Sequence, residues 1–436
     1  MTKPVVFTNS EQEQFRADIA TSRVPGAFEA GRWSVSPLNR DAATAMPRTV
    51  RLRDVSVRGM ESMPGSIISA EEKRELMRSL VRAGVTELSS GSIIGRPLRE
   101  LSADVEAVKS INPEVRFSCP LVRTIADVDL AAAAGFDGVQ AWMPPWGAAS
   151  LIYEVVHPAA WSGAGWRSLG LPEDRSGFLE RAVSLTRHAR SNGLSVTIPM
   201  LMVSYLTEDR LQETANALGE ADATEIALFD GPGGMGPEAY SELVGRLRAL
   251  LPQIDIGLHP HNTFDLGVAN AIAAVRASAN VVEVSINGYC GGPGNADLSA
   301  TVAAFEALYG VSTGVDAGQL NALSRKAEAL TGYEVAWNHP VTGHQAFTWG
   351  GRDFLSQEVD TDSLLHNAID PEWVGASRPA LITPESGPFT MWDKLVQLGI
   401  EPDRALVERV LAEAVGWMKS HGELISDQAL LEIAGS

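Results

Sequence analysis

The stretch DIGLHPHNTFDLG, residues 255–267, joins a short β-rich run that ends in two histidines to a helix-like segment. Residues two apart on a strand project from the same face, so His259 and His261 are expected to point the same way. The chain has only eight histidines, and two imidazoles on one face suit a metal ion or a shared polar cluster. The stretch therefore predicts a βα unit with a candidate site at the end of its strand.

The same alternation of strand and helix recurs from residue 49 onward. Helical-period segments such as residues 69–84, 207–221 and 237–252 separate the strand-like runs, an order typical of parallel βαβ units. Eight such units over roughly 260 residues fit a (β/α)8 barrel. A doubly wound open sheet is the alternative, but no G-x-G-x-x-G follows the first strand. The predicted strands are TVRLRDV (49–55), VTELSSG (85–91), VRFSCPLV (115–122), GVQAWMPP (138–145), SVTIPMLMV (195–203), EIALFDGPG (225–233), DIGLHPHN (255–262) and VVEVSINGY (281–289).

The predicted fold class is α/β, a (β/α)8 TIM barrel followed by a small, mostly helical C-terminal subdomain. We expect an N-terminal extension at residues 1–47, a catalytic barrel at 48–310 and the helical subdomain at 311–436. Residues 146–176 form a long insert rich in tryptophan, which either lines a pocket or packs on the barrel rim.

Composition narrows the function classes. The formal net charge is -19, from 54 acidic and 35 basic residues, which disfavours nucleic acid or an anionic membrane as partner. Cys119 and Cys290 are the only cysteines and cannot form a disulfide framework, so we expect a reducing, cytoplasmic compartment. The start of the chain lacks the pattern of a signal peptide, and no apolar run is long enough for a membrane helix.

Catalytic groups of such barrels lie at the C-terminal ends of the strands. Arg53 and Asp54 close the first predicted strand, the histidine pair closes the seventh, and residues 287–295 follow the eighth. These strands are neighbours in a closed ring, so the side chains are expected to converge. Asp54, His259 and His261 are candidate ligands for Mg²⁺, Mn²⁺, Zn²⁺, Co²⁺ or Fe²⁺, and this ligand set does not select among them. Arg53 is a candidate for stabilising an enolate formed on a substrate held by that ion.

Four more polar or aromatic positions complete the candidate site. In NGYCGGPGNADL (287–298), Asn295 is a candidate metal ligand through its side-chain oxygen, although a plain glycine turn explains much of this loop equally well. Asn287, Asp230 and Trp142 are predicted to bind substrate.

These motifs together resemble the DRE-TIM metallolyase superfamily, which includes isopropylmalate synthase, homocitrate synthase and HMG-CoA lyase. LRD at 52–54 is similar to the family's L-R-D opening, and HPHNTFDLGVANA to its H-x-H-N-D-x-G-x-A-x-A-N pattern. NGYCGGPGN aligns with N-G-x-G-E-R-x-G-N of the synthases. The resemblance implies that Asp54, His259, His261 and Asn295 hold the metal and that Arg53 stabilises the enolate. Similarity of the C-terminal segment to the synthases' post-barrel subdomain implies a homodimer.

The sequence departs from the family pattern at substrate-facing positions. TWGGRDF (348–354) stands where the synthases carry their histidine base, which leaves His344 as the nearby candidate. Val57 replaces the glutamine of R-D-G-x-Q. Cys290 is either a catalytic acid, similar to the cysteine of HMG-CoA lyases, or a packed thiol. These changes predict metal-enolate chemistry with an altered, more apolar substrate pocket.

Three functions follow from this interpretation. The first is a divalent-metal-dependent Claisen condensation of an acyl-CoA with a 2-oxo acid, as in alkylmalate synthases. The second is a retro-aldol or retro-Claisen lyase that cleaves a hydroxy acid. The third is a non-catalytic metal-binding barrel, which the arginine beside the predicted ligand argues against.

Overall fold

The computed structural model describes residues 3–141, 175–349 and 351–435. The chain divides into two compact units, one of residues 42–334 and one of residues 1–41 together with 335–436. Trp142 and the predicted insert 146–176 fall almost wholly outside the described residues. Among the described residues, no helix combines the length and the apolar character needed to cross a bilayer.

The larger unit is built on a closed barrel of eight parallel strands, as the sequence predicts. With strands numbered along the whole chain, the barrel strands are β3 (Arg51–Asp54), β4 (Glu87–Ser89), β5 (Arg116–Val122), β6 (Gly138–Ala141), β7 (Ser195–Leu201), β8 (Glu225–Asp230), β9 (Asp255–Pro260) and β10 (Val281–Val284). Going around the ring, they follow the order β10-β3-β4-β5-β6-β7-β8-β9, so the last strand pairs with the first. The predicted doubly wound alternative is thereby excluded.

The strands are buried on both faces, which explains their nearly continuous apolar sequences. Phe117, Ile226, Leu258 and Val282 are fully buried, for example. The barrel interior also contains charged side chains, which pair with one another because an isolated buried charge is costly. The parallel register places Glu283 and Glu87 on either side of Arg53, and these three side chains are buried together with that of Glu225.

Helices surround the strands, and several carry the start signals that the sequence shows. Ser69 caps its helix: its hydroxyl accepts from the Glu72 backbone N–H, and the Glu72 carboxylate accepts from the Ser69 N–H. The helices are α3 (Ser56–Glu61), α4 (Ala70–Arg82), α5 (Leu98–Lys109), α6 (Ile125–Ala134), α7 (Arg175–Ser191), α8 (Glu208–Glu220), α9 (Pro237–Leu250), α10 (Gly267–Arg276), α11 (Leu298–Ala303) and α12 (Leu320–Thr331).

The smaller unit combines both ends of the chain. It contains a two-stranded antiparallel ribbon, β1 (Phe28–Glu29) and β2 (Trp33–Ser34), with α1 (Asn9–Ser22), α2 (Leu38–Ala42), α13 (Asp353–Thr361), α14 (Pro388–Gln397), α15 (Arg404–His421) and α16 (Asp427–Gly435). The Gln357 side chain fastens the N-terminal segment, since it accepts from the Phe7 N–H at 2.9 Å and donates to the Phe7 carbonyl at 2.8 Å. Residues that the sequence assigns to a separate extension therefore pack with the C-terminal helices.

Residues 311–334 belong to the barrel unit, whereas the sequence assigns them to the C-terminal subdomain. The reason is local packing: α12 contacts α4 of the barrel unit, and the Lys326 ammonium reaches the Glu75 carboxylate on α4 at 3.0 Å. The rest of the C-terminal segment forms its own core around Met391, Leu395 and Val410, and it is mostly helical, as predicted.

Candidate active site at the carboxyl ends of the strands

An open pocket of about 310 Å³ lies at the carboxyl ends of the barrel strands. This is the end of a (β/α)8 barrel at which active sites are found. Its wall combines polar and apolar side chains. The lining residues are Arg58, Ser62, Leu121, Gln140, Pro199, Leu201, Phe229, His259, His261, Cys290 and Gly291.

The histidine pair projects into this pocket from one face of the β9 end, as the two-residue spacing predicts. The Nε2 atoms of His259 and His261 face each other at 3.2 Å. The Nδ1 of His259 lies 2.8 Å from a carboxylate oxygen of Glu283, and the Nδ1 of His261 lies 2.9 Å from the Gly231 carbonyl oxygen. The Glu283 carboxylate is closer to the His259 Nδ1 than the Arg58 guanidinium, which lies 3.3 Å away, and Gly231 offers His261 an acceptor. Each Nδ1 therefore carries the proton and each Nε2 presents a lone pair.

Burial keeps both imidazoles neutral near pH 7. It lowers the pKa of His259 to about 4, although the Glu283 carboxylate acts in the opposite direction. Burial also lowers the pKa of His261, against the Gly231 carbonyl and Asp230. Two lone pairs that converge at 3.2 Å repel each other unless a cation lies between them.

This donor set fits a divalent ion. Two nitrogen ligands, each about 2.0–2.1 Å from a shared ion, are roughly 3 Å apart when they subtend an angle near 90° at that ion. The observed separation of 3.2 Å matches this span. The contact between His259 and Glu283 is the carboxylate–histidine arrangement that commonly orients a metal ligand.

Arg58 supplies the positive charge of the pocket. Its guanidinium donates to the Gln140 side-chain oxygen at 2.6 Å and to Glu283 at 2.9 Å, and it lies over the Phe229 ring at 5.5 Å from the centroid. Glu283 is ionised, because Arg58 and His259 hold its pKa well below the usual range despite burial, which raises it. A guanidinium fixed in this way presents its remaining N–H groups to an anionic ligand.

Arg58, and not Arg53, is the arginine in the wall of this pocket. The Arg53 guanidinium does not line the pocket. It binds Glu225 at 2.8 and 2.5 Å, Glu87 at 3.2 Å and Glu283 at 3.4 Å inside the barrel. These carboxylates raise its pKa, although burial opposes them. Arg53 therefore serves as the counter-ion of a buried glutamate cluster.

Asp54 is likewise separated from the histidines. It follows Arg53 on β3 and so projects from the opposite face of the strand. Its two carboxylate oxygens accept from the Ser56 backbone N–H at 2.9 Å and the Ser56 hydroxyl at 2.8 Å. The hydroxyl oxygen in turn accepts from the Ile286 N–H at 2.8 Å, which joins the first turn of α3 to the segment after β10. Burial raises the pKa of Asp54 to about 7, against both Ser56 hydrogen bonds.

The glycine-rich loop after β10 brings Cys290 to the histidines. One ligating atom from each of Cys290, His259 and His261 lies within 4.8 Å of the others. Burial raises the pKa of the Cys290 thiol, while the Arg58 charge, the Gly291 backbone and Asn295 lower it. Asn295 is buried beside this cluster, and neither polar atom of its side chain has a nitrogen or oxygen partner among the described residues.

The other predicted site residues are not among those that line the pocket. The Asn287 amide donates to the Ser324 carbonyl on α12 at 3.4 Å and does not line the pocket. Both Asp230 oxygens accept within the barrel unit, one from the Ser204 hydroxyl and one from the Met235 N–H. His344 is an exposed residue of the smaller unit, and its role in proton transfer stays a prediction. Trp142 is outside the described residues.

Sequence reasoning missed Arg58, Gln140 and Glu283. A signal for Arg58 exists, because VRG (57–59) offers a second register for the family's L-R-D motif at the strand end. In that register the arginine falls on Arg58 and the carboxylate position on Gly59. A side chain does not fit at Gly59, where a Cβ would lie 2.3 Å from the Tyr289 carbonyl oxygen. Gln140 and Glu283 gain their roles only from the closure of the barrel.

A closed (β/α)8 barrel with a histidine- and arginine-lined pocket at the carboxyl ends of its strands defines a barrel enzyme. The chain matches the HMGL-like family model over residues 49–326 and belongs to that family. The predicted resemblance to the DRE-TIM enzymes is thereby confirmed.

Two relatives that cover most of the chain are synthases. The 2-phosphonomethylmalate synthase of Streptomyces rubellomurinus is 29% identical over 386 residues, which cover 88% of this chain and 97% of the relative. The homocitrate synthase AksA of Methanothermobacter thermautotrophicus is 26% identical over 405 residues, which cover 93% of this chain and 98% of the relative.

Among solved structures, the HMG-CoA lyase of Bacillus subtilis matches with a TM-score of 0.54 and 19% identity, over 66% of this chain and 96% of the lyase. At this identity the match supports the fold alone. As a member of this family, with synthases among its relatives, the protein is an enzyme.

Proposed function

We propose that the protein is a divalent-metal-dependent condensing enzyme that joins the enolate of an acyl-CoA to a 2-oxo acid. The observation that carries the proposal is the convergence of a neutral histidine pair and a fixed arginine on one open pocket. Similarity to alkylmalate-type synthases over nearly the whole chain supports the reaction class.

His259 and His261 would hold the ion through their Nε2 atoms. When bound, a divalent ion supplies Lewis-acid polarisation of the 2-oxo acid. Arg58 binds the substrate carboxylate or the developing oxyanion, since Gln140 and Glu283 fix its guanidinium toward the pocket. His344, a residue of the smaller unit, stays the candidate base that the sequence predicts.

The apolar part of the wall selects the acceptor. Leu121, Pro199, Leu201 and Phe229 line the pocket, and the Phe229 ring stacks on His259. Such a surface suits a 2-oxo acid with a short apolar side chain, because burying it removes apolar area from water. A homodimer in the cytoplasm is part of the same proposal.

The test measures thiol release from a panel of acyl-CoA thioesters with 2-oxo acids. The enzyme is first stripped with a chelator and then supplied with Mg²⁺, Mn²⁺, Zn²⁺ or Co²⁺. We expect release that requires both substrates and an ion. Arg58→Met should lower kcat/KM by about 10²–10³-fold, as loss of an oxyanion contact does. Arg82→Met is the matched control, because Arg82 is an exposed residue of α4. Thiol release from the acyl-CoA alone, or no release with any pair, would contradict the proposal.

A second candidate is the reverse reaction, cleavage of a hydroxy acid, and it is favoured by the Cys290 thiol in the pocket wall. In that reaction the thiol would donate the proton that the leaving enolate takes up. Incubation with hydroxy diacids and their CoA thioesters, with detection of a released carbonyl product, separates the two directions. Formation of such a product together with silence in the condensation assay would favour the lyase.

A further inference from the structure

Three metal-ligating side chains meet in the pocket, and none of the three is a carboxylate. They are the imidazoles of His259 and His261 and the thiol of Cys290, with one ligating atom of each within 4.8 Å of the others. Over the ranges that the structure describes, no other three His, Cys, Asp or Glu side chains form such a group. Neutral imidazole and thiolate are both good ligands for Zn²⁺ and Co²⁺.

The nearby carboxylates are committed to other partners. The two oxygens of Asp54 accept from Ser56. Glu283 holds the Nδ1 of His259 and the Arg58 guanidinium, so it orients a ligand and does not face the Nε2 atoms. Asp230 accepts from Ser204 and Met235. The thiolate of Cys290 is therefore the anionic ligand available to an ion at the histidine pair.

The backbone fixes Cys290 relative to the histidines. The glycine loop is hydrogen-bonded to the end of β9, since the Asn262 N–H donates to the Gly294 carbonyl at 2.9 Å and the Ala296 N–H donates to the Pro260 carbonyl at 3.1 Å. On its other side the loop packs on Gly59, where any Cβ would collide with the Tyr289 carbonyl oxygen. A side chain at residue 59 is thereby excluded, and the loop with Cys290 occupies that space.

Asn295 gives an independent indication of a ligand. Its side chain is 1% exposed, lies against the Cys290 thiol, and has neither a nitrogen nor an oxygen partner for its two polar atoms within the described part of the chain. A buried amide whose polar atoms lack nitrogen or oxygen partners is costly. An ion at the cluster would accept the amide oxygen as a further ligand.

We propose that Cys290 is the third protein ligand of the ion, which makes the site a His₂Cys centre with a preference for Zn²⁺ or Co²⁺ over Mg²⁺. The inference rests on the proposed function only in that this pocket holds a divalent ion. Binding converts the thiol to a thiolate and releases its proton to solvent. Thiolate is a soft ligand, whereas Mg²⁺ prefers oxygen, so the thiolate favours the softer ions.

The test is the absorption spectrum of the full-length protein, stripped of metal and then titrated with Co²⁺. Wild-type protein should bind one Co²⁺ per chain and develop a thiolate-to-cobalt charge-transfer band in the near ultraviolet. Cys290→Ser should lose the band, and its Zn²⁺ affinity should fall by more than the roughly 10–100-fold that loss of an outer partner costs. Cys119→Ser is the matched control and should keep the band, because Cys119 is buried and is not part of the cluster.

Each outcome decides the inference. The inference would be overturned by any of three results: cobalt-loaded wild-type protein without the band, a band that persists in Cys290→Ser, or no cobalt binding at all. The first and third results come from the wild-type protein, so they do not depend on the folding of a variant. Cys290→Asp supplies a second check, since an oxygen ligand should shift the preference toward Mn²⁺ or Mg²⁺. A cobalt band without thiol release would overturn the condensation and keep the His₂Cys site. Full Mg²⁺-dependent condensation by Cys290→Ser would overturn the His₂Cys site and keep the condensation.

Discussion

The buried carboxyl of Asp54 should make the protein less stable as pH rises, and Asp54→Asn should remove that loss. The side chain is 1% exposed, and its hydrogen bonds both come from Ser56. Burial raises its pKa to about 7 from the ordinary value of 3.8. The native state thus binds this proton more tightly than the unfolded state, so stability falls between about pH 4 and pH 7.

The size of the effect follows from the shift of about three pKa units. At about 1.4 kcal/mol per unit, ionised Asp54 lowers the free energy of unfolding by up to about 4 kcal/mol at pH 8. Asparagine cannot ionise and still accepts from the Ser56 N–H. We therefore expect Asp54→Asn to be more stable than wild type, with an advantage that grows by about 2–3 kcal/mol between pH 5 and pH 8.

Urea denaturation at several pH values measures this advantage directly. Asp209→Asn is the control, because Asp209 is an exposed carboxylate in the first turn of α8. The advantage of Asp54→Asn should be the same with and without Zn²⁺. A variant that is less stable than wild type at pH 8, or that loses its Zn²⁺, would refute the reasoning and return Asp54 to the metal site.

Two further predictions concern the buried charges. Arg53→Met should destabilise the protein by about 3–5 kcal/mol, because it leaves Glu225 buried without its counter-ion and removes one of the cations around Glu87. The double variant Arg53→Met/Glu225→Gln should recover part of the loss in a denaturation midpoint. An inactive single variant of full stability would instead restore the catalytic role predicted from sequence. Glu283→Gln should weaken Zn²⁺ binding by about 10–100-fold in a competition titration, because His259 loses its orienting carboxylate. Glu87→Gln is the control and should leave the Zn²⁺ affinity unchanged, because Glu87 pairs with Arg53 and contacts no histidine.

The barrel was predictable because each βα unit has its own pattern in a short stretch of sequence. The strand TVRLRDV and the segment after Ser69 carry their own periodicity and capping signals, and the same holds for the units that follow. Predicted strands contain the observed ones at all eight positions, with ends that differ by a few residues. The spacing of His259 and His261 likewise required only the alternation of a strand.

Arg53 shows where local patterns stop being informative. The similarity of residues 52–54 to the family motif predicts that Arg53 and Asp54 lie at the histidine pair, whereas these side chains bind Glu225 and Ser56. Whether an arginine near a strand end points into the pocket or into the barrel depends on its layer within the ring. Three glutamates from β4, β8 and β10 bind Arg53, and they lie 34 to 230 residues away in sequence.

The sequence by itself determined the family, the (β/α)8 barrel, the face that carries the site and the pairing of the two histidines. Each of these can be recognised from patterns within short stretches of the chain. Only the tertiary structure decided that Arg58 and not Arg53 faces the pocket, that Glu283 orients His259, and that Cys290 meets the histidines. These contacts join residues of β9, β10 and the loops beyond them to the start of α3. Closure of the ring brings such distant segments together, and the interior charges then fix which side chains point into the pocket.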